Sequence, residues 1–381
     1  MKKSSIFECV RLSSISSPQL DRWLAGGWFR NGQQLFRTQL LMMDGKLYTT
    51  INIRLPLKNH QFPKRIAKIY RRNTTLFRSE VRPANFYSED KQRLFDQHRS
   101  RFKGTSVREL WRHFSNDGYN MYDTFELCVY DGDQLVAMSF FDIGEKGLAS
   151  ILGVFDQRYS KHSLGLYTMM QEVELAKALN CHFYYPGYVL DRPSSFDYKL
   201  RLGKYHRYDW HTKRWNLFEK PWPITLATQV EQSLAELKQA LDDFQLGYAQ
   251  KWYQYYLWQY YPDYVGMPTL INSPLVYMCG YSNGFLVAGY DADAKQFFLA
   301  RTGQYVDYHT MAQNIDFSPE SSNRLTHQLD VFYVNEWLAL SQNPNDVARS
   351  LYILFRVEPH ATALIFERNG WFQTDKVEVE D

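Results

Sequence analysis

The chain of 381 residues has no apolar run of the about 18 residues that a membrane-crossing helix needs. The two lysines near its start do not lead into the roughly 7 to 15 apolar residues of a secretory signal either. A soluble, cytoplasmic protein with no membrane partner is therefore expected. Cysteine is scarce: Cys9, Cys128, Cys181 and Cys279 lie far apart and form no CxxC pair. That spacing gives neither a disulfide framework nor a zinc knuckle. His162, His206 and His211 lack metal-ligand spacing, so no metal and no cofactor is assigned. Repeats and low-complexity tracts are missing as well. What is present is 45% hydrophobic and 17% aromatic, far too apolar for a disordered chain, and long enough for two or three units.

Net charge is only +3, yet its distribution is uneven. Residues 58 to 112 hold fifteen Lys and Arg against five Asp and Glu. A basic block of this kind suits a polyanion, and between Lys58 and Arg82 the cations interleave with Tyr70 and Phe77, which could stack on exposed bases. A solvated helix face is the alternative.

The spacing predicts an N-terminal α+β unit over 1–113, a mixed α/β unit over 114–220 and an α+β C-terminal extension over 221–381. In the first, "SPQLDRWLA" reads as a helix capped by Ser17, "KLYTTINIRLPL" as a strand, and the run from Pro63 as a helix with Ile66, Ile69 and Tyr70 on one face. A further helix starts at Ser88 and stops at Gly104. "TFELCVY", "QLVAMSFFDI" and "LASILGVF" form an antiparallel meander. Next, Leu166, Met169, Met170, Val173, Ala176 and Leu179 recur with helical period, and "HFYYPGYV" returns as a strand beside the last meander strand through a right-handed crossover. Beyond Pro221 and Pro223, residues 228–264 read as a long helix or helix pair rich in Tyr and Trp, followed by strands over 275–307.

Three places could carry chemistry. The Ser163-Leu164-Gly165 turn ahead of a helix N-terminus would offer N–H groups to an anion, or merely connect two elements. Strand, turn, helix and splayed strand in this order are how acetyltransferase-like folds hold a donor. The Q/R-x-x-G-x-G/A pattern of acyl-CoA users is not met by Ser160 to Gly165. Pro186 and Gly187 mark either an edge strand or a point where the sheet parts to admit an acyl group. In "SSFDYKL", Lys199 and Tyr198 could hold a phosphate or move a proton and Asp197 could receive an amine; a solvated loop is the plainer reading.

Together these stretches resemble the aminoacyl-tRNA-protein transferases, arginyl and leucyl types, over residues 20 to about 218. The likeness rests on "GGWFRNGQQLFR", "INIRLPL", "FPKRIAKIYRRN", "SLGLYTMMQEVELAKALNCHFYYPGY" and "DYKLRLG". It implies an acetyltransferase-like (GNAT) mixed sheet with flanking helices and transfer of an amino acid, arginine being the expected one, from charged tRNA to a protein or peptide N-terminus. An acyl-CoA-dependent N-acyltransferase and a non-catalytic binding homologue are the alternatives. On this resemblance Tyr188, Asp197, Tyr198 and Lys199 are catalytic, and Ser163, Leu164, Gly165, Tyr185 and Gly187 hold the donor. Arg30, Arg54, Lys64, Lys68, Arg71, Arg72 and Asn73 would bind the tRNA. The chain departs from the family in lacking its paired cysteines, with Cys9 alone near the start, and in carrying Pro186 where leucine is usual.

Overall fold

A computed structural model describes residues 4–43, 45–100, 106–115, 120–219, 224–261, 268–305, 315–316, 326–328, 330–358, 360–366 and 372–375. Gly104, Pro221 and Pro223 lie outside the described residues. In chain order the elements are β1 (Phe7–Arg11), α1 (Ser17–Ala25), β2 (Phe29–Asn31), β3 (Gln34–Thr38), β4 (Leu40–Met43), β5 (Lys46–Pro56), α2 (Lys64–Leu76), β6 (Arg78–Pro83) and α3 (Glu89–Arg99). Then come β7 (Ser106–Val107), β8 (Thr124–Asp131), β9 (Gln134–Ile143), β10 (Gly147–Phe155), α4 (Leu164–Ala178), β11 (Phe183–Tyr185), β12 (Tyr188–Leu190), β13 (His206–Asp209) and β14 (Arg214–Leu217). The remainder holds α5 (Leu226–Asp243), β15 (Ala249–Tyr253), β16 (Leu275–Tyr281), β17 (Phe285–Asp291), β18 (Gln296–Tyr305), β19 (Ile315–Asp316), β20 (His327–Gln328), β21 (Val331–Ser341), α6 (Pro344–Val357), β22 (Thr362–Phe366) and β23 (Phe372–Asp375).

Two compact units result. One comprises Cys9–Gln39 and Thr49–Pro223, the other Met1–Glu8, Leu40–Tyr48 and Ile224–Asp381. The first is built on a mixed sheet in the order β14-β13-β5-β11-β10-β9-β8-β6, to which residues on both sides of position 113 contribute. The meander β8-β9-β10 is antiparallel, and α4 carries the chain over to β11, which lies parallel to β10. Successive strand residues point to opposite faces. Leu148 and Tyr184 accordingly enter a core with Leu166, Met170 and Val173 of α4, and Ala149 and Tyr185 enter one with Leu20 and Leu24 of α1. A third cluster sets Leu94 and Phe95 of α3 against Met138, Phe140 and Val154. α1 is capped by Ser16, one residue earlier than expected, because Gln19 reaches back to the Ser16 N–H at 2.8 Å in a capping box.

In the second unit the sheet order is β20-β15-β16-β17-β18-β21, with β22 and β23 added beyond β16, and α5 and α6 pack against each other and against its strands. The expected long aromatic helix is not formed. α5 ends at Asp243, Gln245 takes φ +54°, and the chain enters β15 with Ala249, Lys251 and Tyr253 buried in alternation. A period of two in "AQKWY" thus overrides the helical reading. No helix among the described residues is long and apolar enough to cross a membrane.

Candidate active site

The site begins with a break in strand pairing. β10 and β11 pair over Gly147–Ala149 and Phe183–Tyr185, and there the parallel ladder stops. Pro186 has no N–H to donate, and Gly187 adopts φ +89°, a left-handed conformation that favours glycine. The chain re-enters the sheet as β12, paired to β5 through Tyr188–Asn52, Val189–Ile51 and Leu190–Thr50. On the other bank, β10 bulges between Ser150 and Leu152 and stays with β9. A bulge bends its strand and raises local twist, so the two banks diverge. Phe183 and Tyr184 are paired on both sides, to β10 and to β5, whereas Tyr188–Leu190 pair with β5 alone, so the sheet parts after Tyr185, one of the two readings that the proline and glycine allowed.

A cavity of 310 Å³ opens at this point. Its walls are mainly apolar: Leu20 and Leu24 of α1, Phe29, Leu35 and Phe36, then Ala149, Ile151 and Tyr185 to Tyr188 along the parted strands, with Phe196 at the far side. Four polar features meet it: Asn31, Ser150, the Arg30 and Asp142 pair, and Lys199. Arg30 and Asp142 are mutually satisfied at 2.9 Å with side chains only 1% exposed. The Arg30 guanidinium also donates to the Phe114 carbonyl at 2.8 Å and to Thr124 Oγ1 at 2.7 Å. It is an internal strut, not the surface phosphate ligand expected of it.

Lys199 is placed by the short 3-10 turn Asp197–Leu202, whose backbone is tied down when Tyr205 Oη donates to the Lys199 carbonyl at 2.8 Å. Its ammonium donates to the Tyr188 carbonyl at 3.1 Å and stands 4.9 Å from the Phe196 ring centroid. A β-carbon on Gly187 would lie 3.6 Å from Nζ, an ordinary contact, so it is the backbone conformation and not crowding that favours glycine there. No carboxylate pairs with it among the described residues, and burial pushes its pKa down to about 8. The other two members of that motif stay outside the cavity. Tyr198 is 40% exposed, and Asp197 accepts from Ser194 Oγ at 3.4 Å.

The Ser163-Leu164-Gly165 turn sits at the opposite end of the diverging half of β10, roughly 20 Å of strand away from Ala149. Ser163 is left-handed at φ 55° and caps α4 by backbone geometry alone. Leu164 is buried with Phe77, Val129 and Tyr167. Gly165 lets the helix sit on Phe155, since a β-carbon would meet that ring at 3.1 Å. The turn is fastened to α2: the Asn73 amide donates to the His162 carbonyl at 2.7 Å, and Arg72 donates to the Lys161 carbonyl at 3.3 Å. Lys64, Lys68, Arg71 and Arg72 are exposed on that helix, whereas Asn73 is buried. Arg54 is stacked between Phe183, 3.7 Å away, and Trp215, 4.5 Å away, so like Arg30 it is used inside the unit.

Of the residues expected in the site, the structure gathers Tyr185, Gly187, Tyr188 and Lys199 around one cavity, with Arg30 beneath. Phe29, Ser150 and Asp142 were not singled out from the sequence. Nor was Glu172, the one charged residue among the buried positions of α4, and that placement is the signal that could have marked it.

Residues 79–209 match the family described as "Arginine-tRNA-protein transferase, C terminus". An "Aspartate/glutamate leucyltransferase" of Pseudoalteromonas atlantica is 24% identical over 199 residues, covering 52% of this chain and 83% of that protein. A protein of the same name from Campylobacter jejuni is 24% identical over 204 residues, covering 52% and 82%. Among solved structures, a GCN5-related glucosamine N-acetyltransferase region from a fungal multi-domain GH3 β-N-acetylglucosaminidase overlays with a TM-score of 0.29 and 12% identity, over 52% of this chain and 22% of that one. That score is too low to define a shared arrangement. Through residues 79–209 the chain is similar to the aminoacyl-tRNA-protein transferase family.

Proposed function

We propose that the protein moves an amino acid from charged tRNA to the N-terminal α-amine of a protein or peptide, and that the reactants meet where the sheet parts. The observation that carries this reading is the cavity between β10 and β12, which sets one ammonium with no carboxylate partner among the described residues beside mainly apolar walls. An ester facing an amine is already reactive, so alignment of the two and removal of one proton are the main demands on the protein.

The walls favour the identity of the donor. Leu20, Leu24, Phe29, Leu35 and Phe36 suit an uncharged aliphatic side chain. Arginine, the residue expected from the sequence, would bring a guanidinium into a space whose unpaired charge is already positive. Leucine fits better, in line with the names of the relatives. Lys199 then serves the acceptor, because an N-terminal Asp or Glu would set its carboxylate against the ammonium. The exposed cations of α2 and the N-terminus of α4, fastened together through Asn73, would hold phosphates of the tRNA upstream of its 3′ end. This division of labour corresponds to an acetyltransferase-like arrangement in which tRNA replaces CoA.

The test is to incubate the protein with labelled Leu-tRNA or Arg-tRNA and peptides beginning with Asp, Glu or Ala. Labelled product from Leu-tRNA on the acidic peptides is expected. Product from Arg-tRNA alone would overturn the donor assignment. No product from either, with acetyl-CoA binding tightly, would overturn the transferase reading.

A further inference from the structure

Behind the parted strands, on the α4 side of the sheet, lies a buried carboxyl group with no charged partner among the described residues. Glu172 is 1% exposed, and no Lys, Arg or His pairs with it among the described residues. Its Oε2 accepts from the hydroxyl of Tyr184 at 2.7 Å. Oε1 makes no aligned hydrogen bond among the described residues, although the hydroxyls of Ser139 and Ser150 lie beside the carboxyl. Ser150 is also a wall of the cavity and stands at the bulge where β10 leaves the ladder. Ser150 thus lines the reaction space as a residue while its hydroxyl lies beside a buried carboxyl with spare acceptor capacity.

We propose that Glu172, acting through the hydroxyl of Ser150, takes the proton that the acceptor amine sheds during transfer. This rests on the transferase reading above. As the amine nitrogen bonds to the acyl carbon, its proton passes to Ser150 Oγ, and the hydroxyl proton of Ser150 passes to the Glu172 carboxylate. As the ester C–O bond breaks, the proton returns by the same route to the departing 3′ oxygen of the tRNA, which leaves as a hydroxyl. Nothing is oxidised or reduced, and the protein ends as it began. Burial raises the Glu172 pKa from its ordinary range to about 7, which leaves enough carboxylate at neutral pH to receive a proton and enough acidity to return it. The titratable groups facing it are Tyr184 of β11 and Tyr198 of the 3-10 turn, both phenols raised above their ordinary pKa and so neutral over the range of interest, with Ser139 of β9 and Ser150 of β10 as the other polar neighbours. A purely structural role would be that of a neutral carboxylic acid bridging Tyr184 and the two serines.

The two roles separate in a pH profile. Single-turnover transfer is measured from pH 6 to 9 with the charged tRNA that the wild-type protein uses, and with hydroxylamine as acceptor, an amine already neutral at pH 7. The wild-type rate is expected to rise through about pH 7. In Glu172→Gln the rate should fall about 10²-fold and lose that rise. Ser150→Ala leaves Glu172 in place and should lose the rise likewise, and it decides the matter if Glu172→Gln does not fold. Ser150→Thr, which keeps a hydroxyl, should retain the rise. A rise that persists in Ser150→Ala, or a Glu172→Gln rate within threefold of wild type, overturns the relay while leaving the transferase reading intact. No transfer by the wild-type protein overturns both.

Discussion

The guanidinium of Arg30 and the carboxylate of Asp142 meet at 2.9 Å beneath the cavity, joining β2 to β9 with both side chains almost wholly excluded from solvent. Asp142 also accepts from Thr124 Oγ1 at 2.7 Å, and the Arg30 guanidinium lies 3.9 Å from the Tyr122 ring centroid. Removing one member leaves the other charge buried and unpaired, which costs about 3 to 5 kcal/mol. Arg30→Ala should therefore lower stability to urea by that amount. Arg30→Met combined with Asp142→Leu should recover part of the loss. If the double variant is less stable than Arg30→Ala, the pair is more than a charge-neutral strut.

The same region bears on acceptor choice. Below pH about 8 Lys199 is an ammonium and attracts a carboxylate; above it the neutral amine cannot. The KM for a peptide beginning with Asp should consequently climb as pH rises past about 8, toward tenfold per unit, while that for a peptide beginning with Ala stays level. Lys199→Met should cut kcat/KM on the acidic peptide by about 10²-fold, chiefly through KM, and abolish the pH dependence. Equal losses on both peptides would remove Lys199 from acceptor recognition.

Much of this unit was legible because its signals are local. The meander, the crossover helix and the parting at Pro186-Gly187 follow from two-residue alternation, a 3.6-residue period and a missing N–H. The roles of Arg30 and Arg54 were not legible, since a lone arginine in "WFRN" or "INIRL" carries no local sign of whether it meets phosphate or a distant partner; Asp142 lies 112 residues away. Glu172 was hidden for the opposite reason, being one charged letter inside a convincing apolar stripe. The Tyr- and Trp-rich stretch after α5 misled because aromatic density fits either a helix or a strand, and only Ala249, Lys251 and Tyr253 alternating into the sheet decide it.

For α2 the expected behaviour is electrostatic. Lys68, Arg71 and Arg72 are exposed there, on the helix that Asn73 fastens to the turn before α4. If each neutralises a phosphate, the triple change to Ala weakens tRNA binding and lowers the slope of log affinity against log salt by about 2. Filter binding from low to moderate salt measures that slope. An unchanged slope would make this helix a solvated face and move the tRNA elsewhere.

Glu172 can also be examined without tRNA, through folding. Its pKa rises from 4.5 in the unfolded chain to about 7 in the fold, with burial as the leading cause. An acid whose folded pKa is raised contributes stability that is full below the unfolded pKa and is lost as pH climbs through the folded one. At pH 8 to 9 the protein must keep a carboxylate in an apolar site or leave the native state. Gln cannot ionise, and it retains an oxygen to accept from Tyr184, so Glu172→Gln should gain on the wild type as pH rises. The difference in unfolding free energy between the two proteins should shift by about 3 kcal/mol in favour of Gln from pH 5 to pH 9. Other titrating groups cancel in that difference because both proteins share them. Parallel stability curves over this range would mean that the carboxyl is solvated in the native state, and a solvated Glu172 would have no reason to pass its proton through Ser150.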